Sequence, residues 1–255
     1  MDAQGIRERL ENLYGRVDWR SARGRLHVAA IHGPTRRVIA IGPAAPPSAT
    51  DRFVLGFARA RASVIVTTGA ILRSEPELTH RFAEDASEAE ALQEWRASVL
   101  GMESPPRLLV LSASGDFPFD HPALEEGEGW IWTTPEGRAR VGANRPGFEV
   151  VVGRARGVAE ALDFLARDPS NHTLLVEAGP STSGGLYVSR AGLQELLLSS
   201  YSGPLVAAAS GPLFIDSARV ESTLGPARSA HVHREASGSW RFERFRSEQV
   251  GAPKP

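Results

Sequence analysis

The sequence predicts one α/β domain: a mostly parallel sheet covered on both faces by helices and closed by a C-terminal antiparallel hairpin. Three observations predict it. Short β-branched or leucine-rich runs alternate with stretches of helical periodicity, the pattern of parallel strands buried on both faces. Two runs near the C-terminus alternate in polarity around a turn sequence, as hairpin strands do. No repeat, low-complexity stretch or long linker divides the 255 residues, a length that one α/β domain accommodates.

The elements follow in chain order. Ile6, Leu10, Leu13 and Val17 fall on one helical face, so residues 1–24 read as a polar helical extension that docks on the body or on a partner. Leu26–Ile31 and Val38–Ile41 are short strands separated by a turn-rich segment. After a Pro-rich loop, a helix starts at a cap near Ser48 or Thr50 and turns Phe53, Val54, Phe57 and Ala58 inward. Val64–Val66 is a buried strand, followed by a strand-end loop over Thr67–Arg81. Ser87–Val99 is helical, with Leu92, Trp95 and Val99 at steps of three and four. Leu108–Leu111, Trp130–Thr133 and Phe148–Val152 are strands. Val158, Ala161, Leu162 and Leu165 mark an amphipathic helix. Thr173–Val176 is a strand that runs into the turn EAGPSTSGG, and Leu196–Ser199 continues the sheet. Ala230–Arg234 and Trp240–Phe245 form the closing hairpin around ASGS. The domain therefore spans 25–248, with a flexible tail at 249–255.

Composition removes several classes of function. Lys plus Arg is 29 and Asp plus Glu is 30, for a net charge of -1. Such a chain has no global field to hold a polyanion, which argues against nucleic acid and membrane surfaces as partners. No apolar run approaches the ~18 residues of a membrane span. The charged N-terminus lacks an apolar signal core, which predicts a cytoplasmic protein. There is no Cys, so disulfides, Cys-ligated zinc and thiolate nucleophiles are excluded together. Lys254 is the only lysine, which leaves no Walker-type lysine after a glycine loop and no Schiff-base lysine in the body of the chain.

Ligands of open α/β sheets bind beyond the carboxyl ends of the strands, and two segments stand there. Glu177–Gly185 turns through Gly179 and Pro180, offers the hydroxyls of Ser181, Thr182 and Ser183, and enters a helix with Gly184 and Gly185 in its first turn. Helix-start N–H groups and small hydroxyls suit phosphate oxygens; an ordinary capped strand–helix turn has the same look. Thr67–Arg81 ends in Arg81, whose planar fork suits an anion, although a solvated loop arginine is the plainer reading. His231 and His233 share a strand face but have no evident third ligand, and Asp116, Asp120 and His121 read as a capped loop, so no metal site is expected. No G-x-S-x-G elbow is present.

Three segments in order carry a resemblance. Gly69–Arg81 (GAILRSEPELTHR) is similar to the pattern G-T-V-L-x-D-D-P-x-L-T-x-R. Leu108–Leu124 resembles V-V-x-S followed by D-x-P-x-D-H-P-x-L. Leu174–Leu196 resembles L-V-E-G/A-G-P-T-L-x-G followed by L-V-D-E-L. These are motifs of the riboflavin-pathway pyrimidine reductases, the C-terminal domain of a bifunctional bacterial deaminase–reductase, and the likeness runs from about residue 26 to 246. It implies a dihydrofolate-reductase-like three-layer fold, NADPH as hydride donor and a homodimer. By the same resemblance the Gly179–Gly185 turn cradles the cofactor pyrophosphate and Ser112 lies near NADPH. Ala70 and Ser74, standing where relatives carry Thr and Asp, fall on the cofactor side. Glu177 faces the substrate, and Leu78 and Arg81 hold a phosphorylated ribose chain. No catalytic residue is assigned.

The chain also departs from the pattern. The D-G-K of relatives is not recognisable in Val28–Gly42, where Arg36 or Arg37 is only an approximate match to the Lys. The second Asp of D-D-P is Glu75, and a substrate-side Arg falls on Ala58, with Arg59 and Arg61 beside it. Zinc deaminase chemistry needs Cys ligands and is excluded. The expected function is an NADPH-dependent reductase of a pyrimidine-like or other small substrate. The alternative is a catalytically altered nucleotide-binding protein on the same fold.

Overall fold

Each buried β-branched or leucine-rich run becomes a strand. The computed structural model describes residues 1–40, 42–125, 127–142, 146–153, 157–188, 192–235 and 238–247. Its strands are β1 (Gly24–His32), β2 (Arg37–Ile39), β3 (Val64–Thr68), β4 (Arg107–Leu111), β5 (Gly129–Thr133), β6 (Phe148–Val152), β7 (Thr173–Val176), β8 (Leu193–Ser202), β9 (Ser210–Leu213), β10 (Ala227–Glu235) and β11 (Gly238–Arg246). They form one sheet in the order β10-β11-β8-β1-β7-β3-β4-β5-β6. Neighbours from β8 through β6 are parallel. The β10–β11 hairpin adds two antiparallel strands beside β8, and β2 folds back on β1 to pair with β9. The expected architecture, a mostly parallel sheet closed by an antiparallel hairpin, is the observed one. Ile41, Ala236, Ser237 and the tail at 249–255 lie outside the described residues.

The helices are α1 (Ala3–Tyr14), α2 (Ala49–Arg61), α3 (Gly69–Ser74), α4 (Ala86–Trp95), α5 (Pro122–Glu125), α6 (Pro135–Val141), α7 (Val158–Leu165), α8 (Pro180–Ser183) and α9 (Ser217–Leu224). α1, α2 and α4 bury Leu10, Phe57 and Trp95 against one face of the sheet. α7 and α9 bury Leu162 and Val220 against the other. The result is the three-layer arrangement in which the central strands are inaccessible from both sides. No helix among the described residues is long and apolar enough to cross a membrane.

Three expectations need correction, and a fourth is narrowed. Of the two dockings expected for the N-terminal helix, the structure shows the one on the body. Asp2 caps it by accepting from the Gly5 amide at 2.9 Å, and it buries Ile6, Leu10, Leu13 and Tyr14 in the main core. Val17 lies beyond its end. The strand-end loop 67–81 contains α3, started by the Thr68 hydroxyl, which accepts from Ile71 N at 3.2 Å. The helix after Glu177 begins at Pro180, so Gly184 and Gly185 fall in its closing turn (Gly184–Leu186) and not in its first. Leu196–Ser199 is the middle of a strand more than twice that length.

Candidate functional site

The parallel strands β3, β4, β5 and β7 all end on the same edge of the sheet, and the chain leaves each through small polar residues. The Thr68 side chain closes β3. Ser112 follows β4, with its amide donating to the Trp132 carbonyl at 3.0 Å. After β5, the Thr134 hydroxyl accepts from Gly137 N at 3.2 Å and donates to the Ala113 carbonyl at 2.8 Å. Close backbone approach makes this edge tight: a Cβ on Gly137 would sit 2.0 Å from Thr133 Oγ1, and one on Gly69 would sit 2.9 Å from Ser112 Oγ. Only glycine fits at the first position without moving the loop.

Between these strand ends and α8 lies a polar cleft of about 430 Å³. Hydroxyl side chains dominate it: Thr68, Ser74, Ser112, Ser114, Thr134, Ser181 and Thr182, with the ring of Trp132 on one wall. Arg73 is the one cation among its described lining residues, held by a hydrogen bond to the Asp116 carbonyl.

A second cavity, of about 220 Å³, opens beside the cleft over the middle of β1 and the end of β7. The two share Ile71 and Gly179 as common wall. Its lining is mostly apolar and includes Val28, Leu55, Leu78 and Phe214; the ionisable members are His27, Asp51, Glu75 and Glu177.

Glu177 is the best-held of these. Arg59 grips it from behind with two parallel bonds of 2.8 Å, from Nε to Oε1 and from Nη2 to Oε2. The remaining Arg59 nitrogen donates to the Thr79 and Arg81 carbonyls at 3.2 and 3.0 Å. Burial opposes the charge of Glu177, but the guanidinium outweighs it and holds the carboxyl below its ordinary range. Glu75 has no such partner: burial and then the charge of Glu177 raise it, and its Oε2 is buried without a hydrogen bond. His27 is 1 % exposed, and burial lowers it to about 4, so it is neutral. Its Nδ1 lies 2.6 Å from the Tyr187 hydroxyl. His80, behind the Arg59–Glu177 pair, is likewise pushed down by burial to about 4.

Ala70, Ser74, Ser112, Gly179, Ser181 and Thr182 come together around the polar cleft. Leu78 and Glu177 line the cavity, with Gly179 and Pro180 at its edge. Three residues of the glycine turn line neither space. Ser183 is fully buried with an unpartnered hydroxyl, Gly184 packs beside Ile215, and Gly185 faces solvent. The Arg81 side chain is exposed on a separate groove with His80 and Phe82, away from Leu78 and Glu177. His231 and His233 lie on the edge strand β10. In the Asp116–His121 loop it is the His121 ring that accepts from the Ala123 amide, at 3.1 Å.

Arg59, His27, Asp51 and Arg73 were not singled out as site residues from the sequence. A signal existed for Arg59: the run ARARA ends an otherwise apolar helix, and an arginine among buried alanines requires a partner. For His27 no local signal exists, since a lone histidine in a strand is equally at home in a core.

No family model matches the sequence, and no curated protein does. Solved structures do match. A pyrimidine reductase-like protein of Corynebacterium diphtheriae superposes with a TM-score of 0.63 at 18% identity, over 95% of this chain and 99% of that one. The riboflavin biosynthesis reductase of Saccharomyces cerevisiae gives 0.55 at 12% identity, over 95% and 98%. RibD of Acinetobacter baumannii gives 0.58 at 15% identity; 90% of this chain is covered, and it spans 59% of the length of that protein. At these identities the shared property is the fold, and it is the fold that the motif resemblance implies.

Proposed function

We propose that this chain is an oxidoreductase that binds NADPH along the polar cleft and reduces a pyrimidine-like or other small heterocyclic substrate in the adjoining cavity. The observation that carries the reading is the shared wall at Ile71 and Gly179, which sets a hydroxyl-lined cleft beside a small, mostly apolar cavity. The donor set fits a dinucleotide: hydroxyls of Ser112, Ser181 and Thr182 suit diphosphate oxygens, and Arg73 at the lip supplies positive charge. NADPH supplies a hydride when bound. The chain's own residues position the reactants and keep water out of the cavity. The Arg59–Glu177 pair holds a carboxylate in fixed orientation at its end, and Glu75, raised by burial, can carry a proton at its rim. The strand-end motifs and the fold shared with riboflavin-pathway reductases support this reading, with 5-amino-6-(5-phosphoribosylamino)uracil reduction as its nearest known reaction. The same resemblance supports a homodimer, which a monomer mass by light scattering at micromolar concentration would contradict.

Gly179 gives the test. A Cβ there meets no protein atom within 4 Å, and its backbone is extended with φ -63. Gly179→Val therefore folds, but fills the junction of the two spaces. The urea midpoint is expected to stay unchanged while NADPH affinity, followed through Trp132 emission, falls at least roughly tenfold, the loss of about 1.4 kcal/mol. Unaltered affinity in the folded variant refutes the site. NADPH binding without oxidation by any pyrimidine would favour the nucleotide-binding alternative.

A further inference from the structure

We infer that Glu75, whose carboxyl stands in the cavity wall with one oxygen buried and unpartnered, is the general acid of the reduction. It gives a proton to the nitrogen or oxygen of the double bond whose carbon takes the hydride. This rests on the reductase reading of the site and names a catalytic residue for it.

A hydride brings two electrons and one hydrogen to carbon, so a C=N or C=O group also needs a proton at its heteroatom. The carbon gains its new C–H bond from NADPH, and the π pair moves onto the heteroatom. There an N–H or O–H bond forms as the Glu75 O–H bond breaks. NADP⁺ and the Glu75 carboxylate remain, and water restores the proton after the product leaves.

The lining leaves few carriers of a proton. No Ser, Thr, Tyr, Lys or Arg lines the cavity among the described residues, so the candidates are His27, Asp51, Glu75 and Glu177. Glu177 has no proton to give, because Arg59 donates to both of its oxygens and holds it ionised. His27 is neutral, with its Nδ1 against the Tyr187 hydroxyl, and a neutral imidazole is a far weaker acid than a carboxyl group. Asp51 stands in the first turn of α2, where backbone amides favour its charge. Burial raises it, but the charges that act on it are those of Arg52 and Glu235 and not that of Glu177.

Glu75 is also held in place. It stands one turn after Ile71, a wall that the cavity shares with the cleft, and its amide donates to the Ile71 carbonyl at 2.9 Å. Its own carbonyl accepts from the Leu78 amide at 3.0 Å and from the His121 ring at 2.9 Å. His121 Nδ1 accepts from the Ala123 amide, which leaves the ring proton on Nε2 to make that bond. The backbone is thus fixed from two loops while Oε2 keeps no protein partner. Burial and then the charge of Glu177 raise Glu75, and Arg59 opposes them only in part. Two carboxyl groups of one cavity are set apart in this way, one ionised and one proton-bearing, as in an acid–base pair.

Two measurements on the full chain test the inference. The first needs no turnover: the infrared carbonyl band of a protonated carboxyl, isolated as the difference between the unaltered protein and Glu75→Gln, should titrate with a midpoint above the ordinary glutamate value of 4.5. A midpoint at or below that value overturns the inference. The second is steady-state kinetics with NADPH and 5-amino-6-(5-phosphoribosylamino)uracil. Because the active form carries the proton, kcat should fall as pH rises through the Glu75 midpoint. Glu75→Gln should lower kcat roughly a hundredfold or more and abolish that fall, with the urea midpoint and NADPH affinity unaltered, and Glu75→Asp should recover part of the rate. Unaltered kcat in a folded Glu75→Gln variant that binds NADPH overturns the inference and leaves the reductase reading standing. So does a pH dependence that survives in Glu75→Gln but disappears in Asp51→Asn. No turnover by the unaltered protein overturns both.

Discussion

Arg59 stands one position beyond the place where the resemblance expects a substrate-side arginine, and the register of α2 decides between the two. Ala58 is fully buried on the helix face that meets the sheet, whereas Arg59 leaves the same helix toward Glu177. Glu177 was legible in the sequence because it follows a buried strand in a recognisable turn. Its partner was not, because pattern matching counts positions along the chain and ion pairing depends on rotation about a helix. The same limit explains Arg81: the motif places it, but its carbonyl and not its guanidinium meets the site. The pair itself is testable. With side chains only 7% and 11% exposed, Arg59→Met leaves a buried carboxylate uncompensated and should cost about 3–5 kcal/mol of stability in urea unfolding. Arg59→Lys should recover only part, since an ammonium cannot match both carboxylate oxygens. Equal midpoints for Arg59→Met and the unaltered protein would show that the pair does not hold the site together.

Among the elements, buried apolar strands and multi-turn helices were readable and the shortest helices were not. The buried runs of β3, β4 and β7 and the i, i+3, i+4, i+7 pattern of α7 declare themselves, because burial imposes a period on several residues at once. α3 and α8, with 6 and 4 residues, have too few turns to show one, so the start of α8 was misplaced by its glycines. α1 shows a different limit. Its apolar face was plain, but periodicity names a face and not what covers it. The structure covers it with α4 and β10, and the Arg9–Glu88 ion pair of 2.7 Å flanks the contact. Ile6 and Leu10 are 0% and 1% exposed, Leu13 and Tyr14 nearly so. Each buried apolar side chain contributes roughly 1.5–3 kcal/mol, so α1 supplies an amount comparable with the ~5–15 kcal/mol of a whole domain. Deleting residues 1–15 should therefore unfold or aggregate the protein, as read by circular dichroism and the urea midpoint. A soluble truncation with an unaltered midpoint would show that the docked helix adds no stability.

Across the whole molecule, one carboxylate ties the two ends of the chain to the sheet. Glu195 of β8 is 2% exposed and accepts from Arg61 of α2 and from Arg244 and Arg246 of β11, at 2.7 to 3.1 Å. Arg61 and Arg246 also donate to the Ala22 and Ser21 carbonyls ahead of β1. The first segment, a central helix and the last strand thus converge on one acid. Sequence reading found each of these elements and missed their common anchor, because its members lie 49 to 134 positions apart. Burial opposes the charge of Glu195, yet Arg61 and Arg244 outweigh it and hold the carboxyl at about 2, below its ordinary 4.5. The sign of the consequence is fixed by that depression. The unfolded chain takes up this proton first, so the contribution to stability is complete above about pH 4.5 and is lost as pH falls toward about 2. Glu195→Gln keeps the shape but leaves three guanidiniums facing one another around a neutral amide. It should cost about 3–5 kcal/mol at pH 7 and flatten the acid limb between pH 4.5 and 2, as measured by urea midpoints across that range. If the variant keeps the steep acid limb of the unaltered protein, the acid sensitivity resides in other carboxylates. The convergence on Glu195 would then be a matter of geometry without energetic weight.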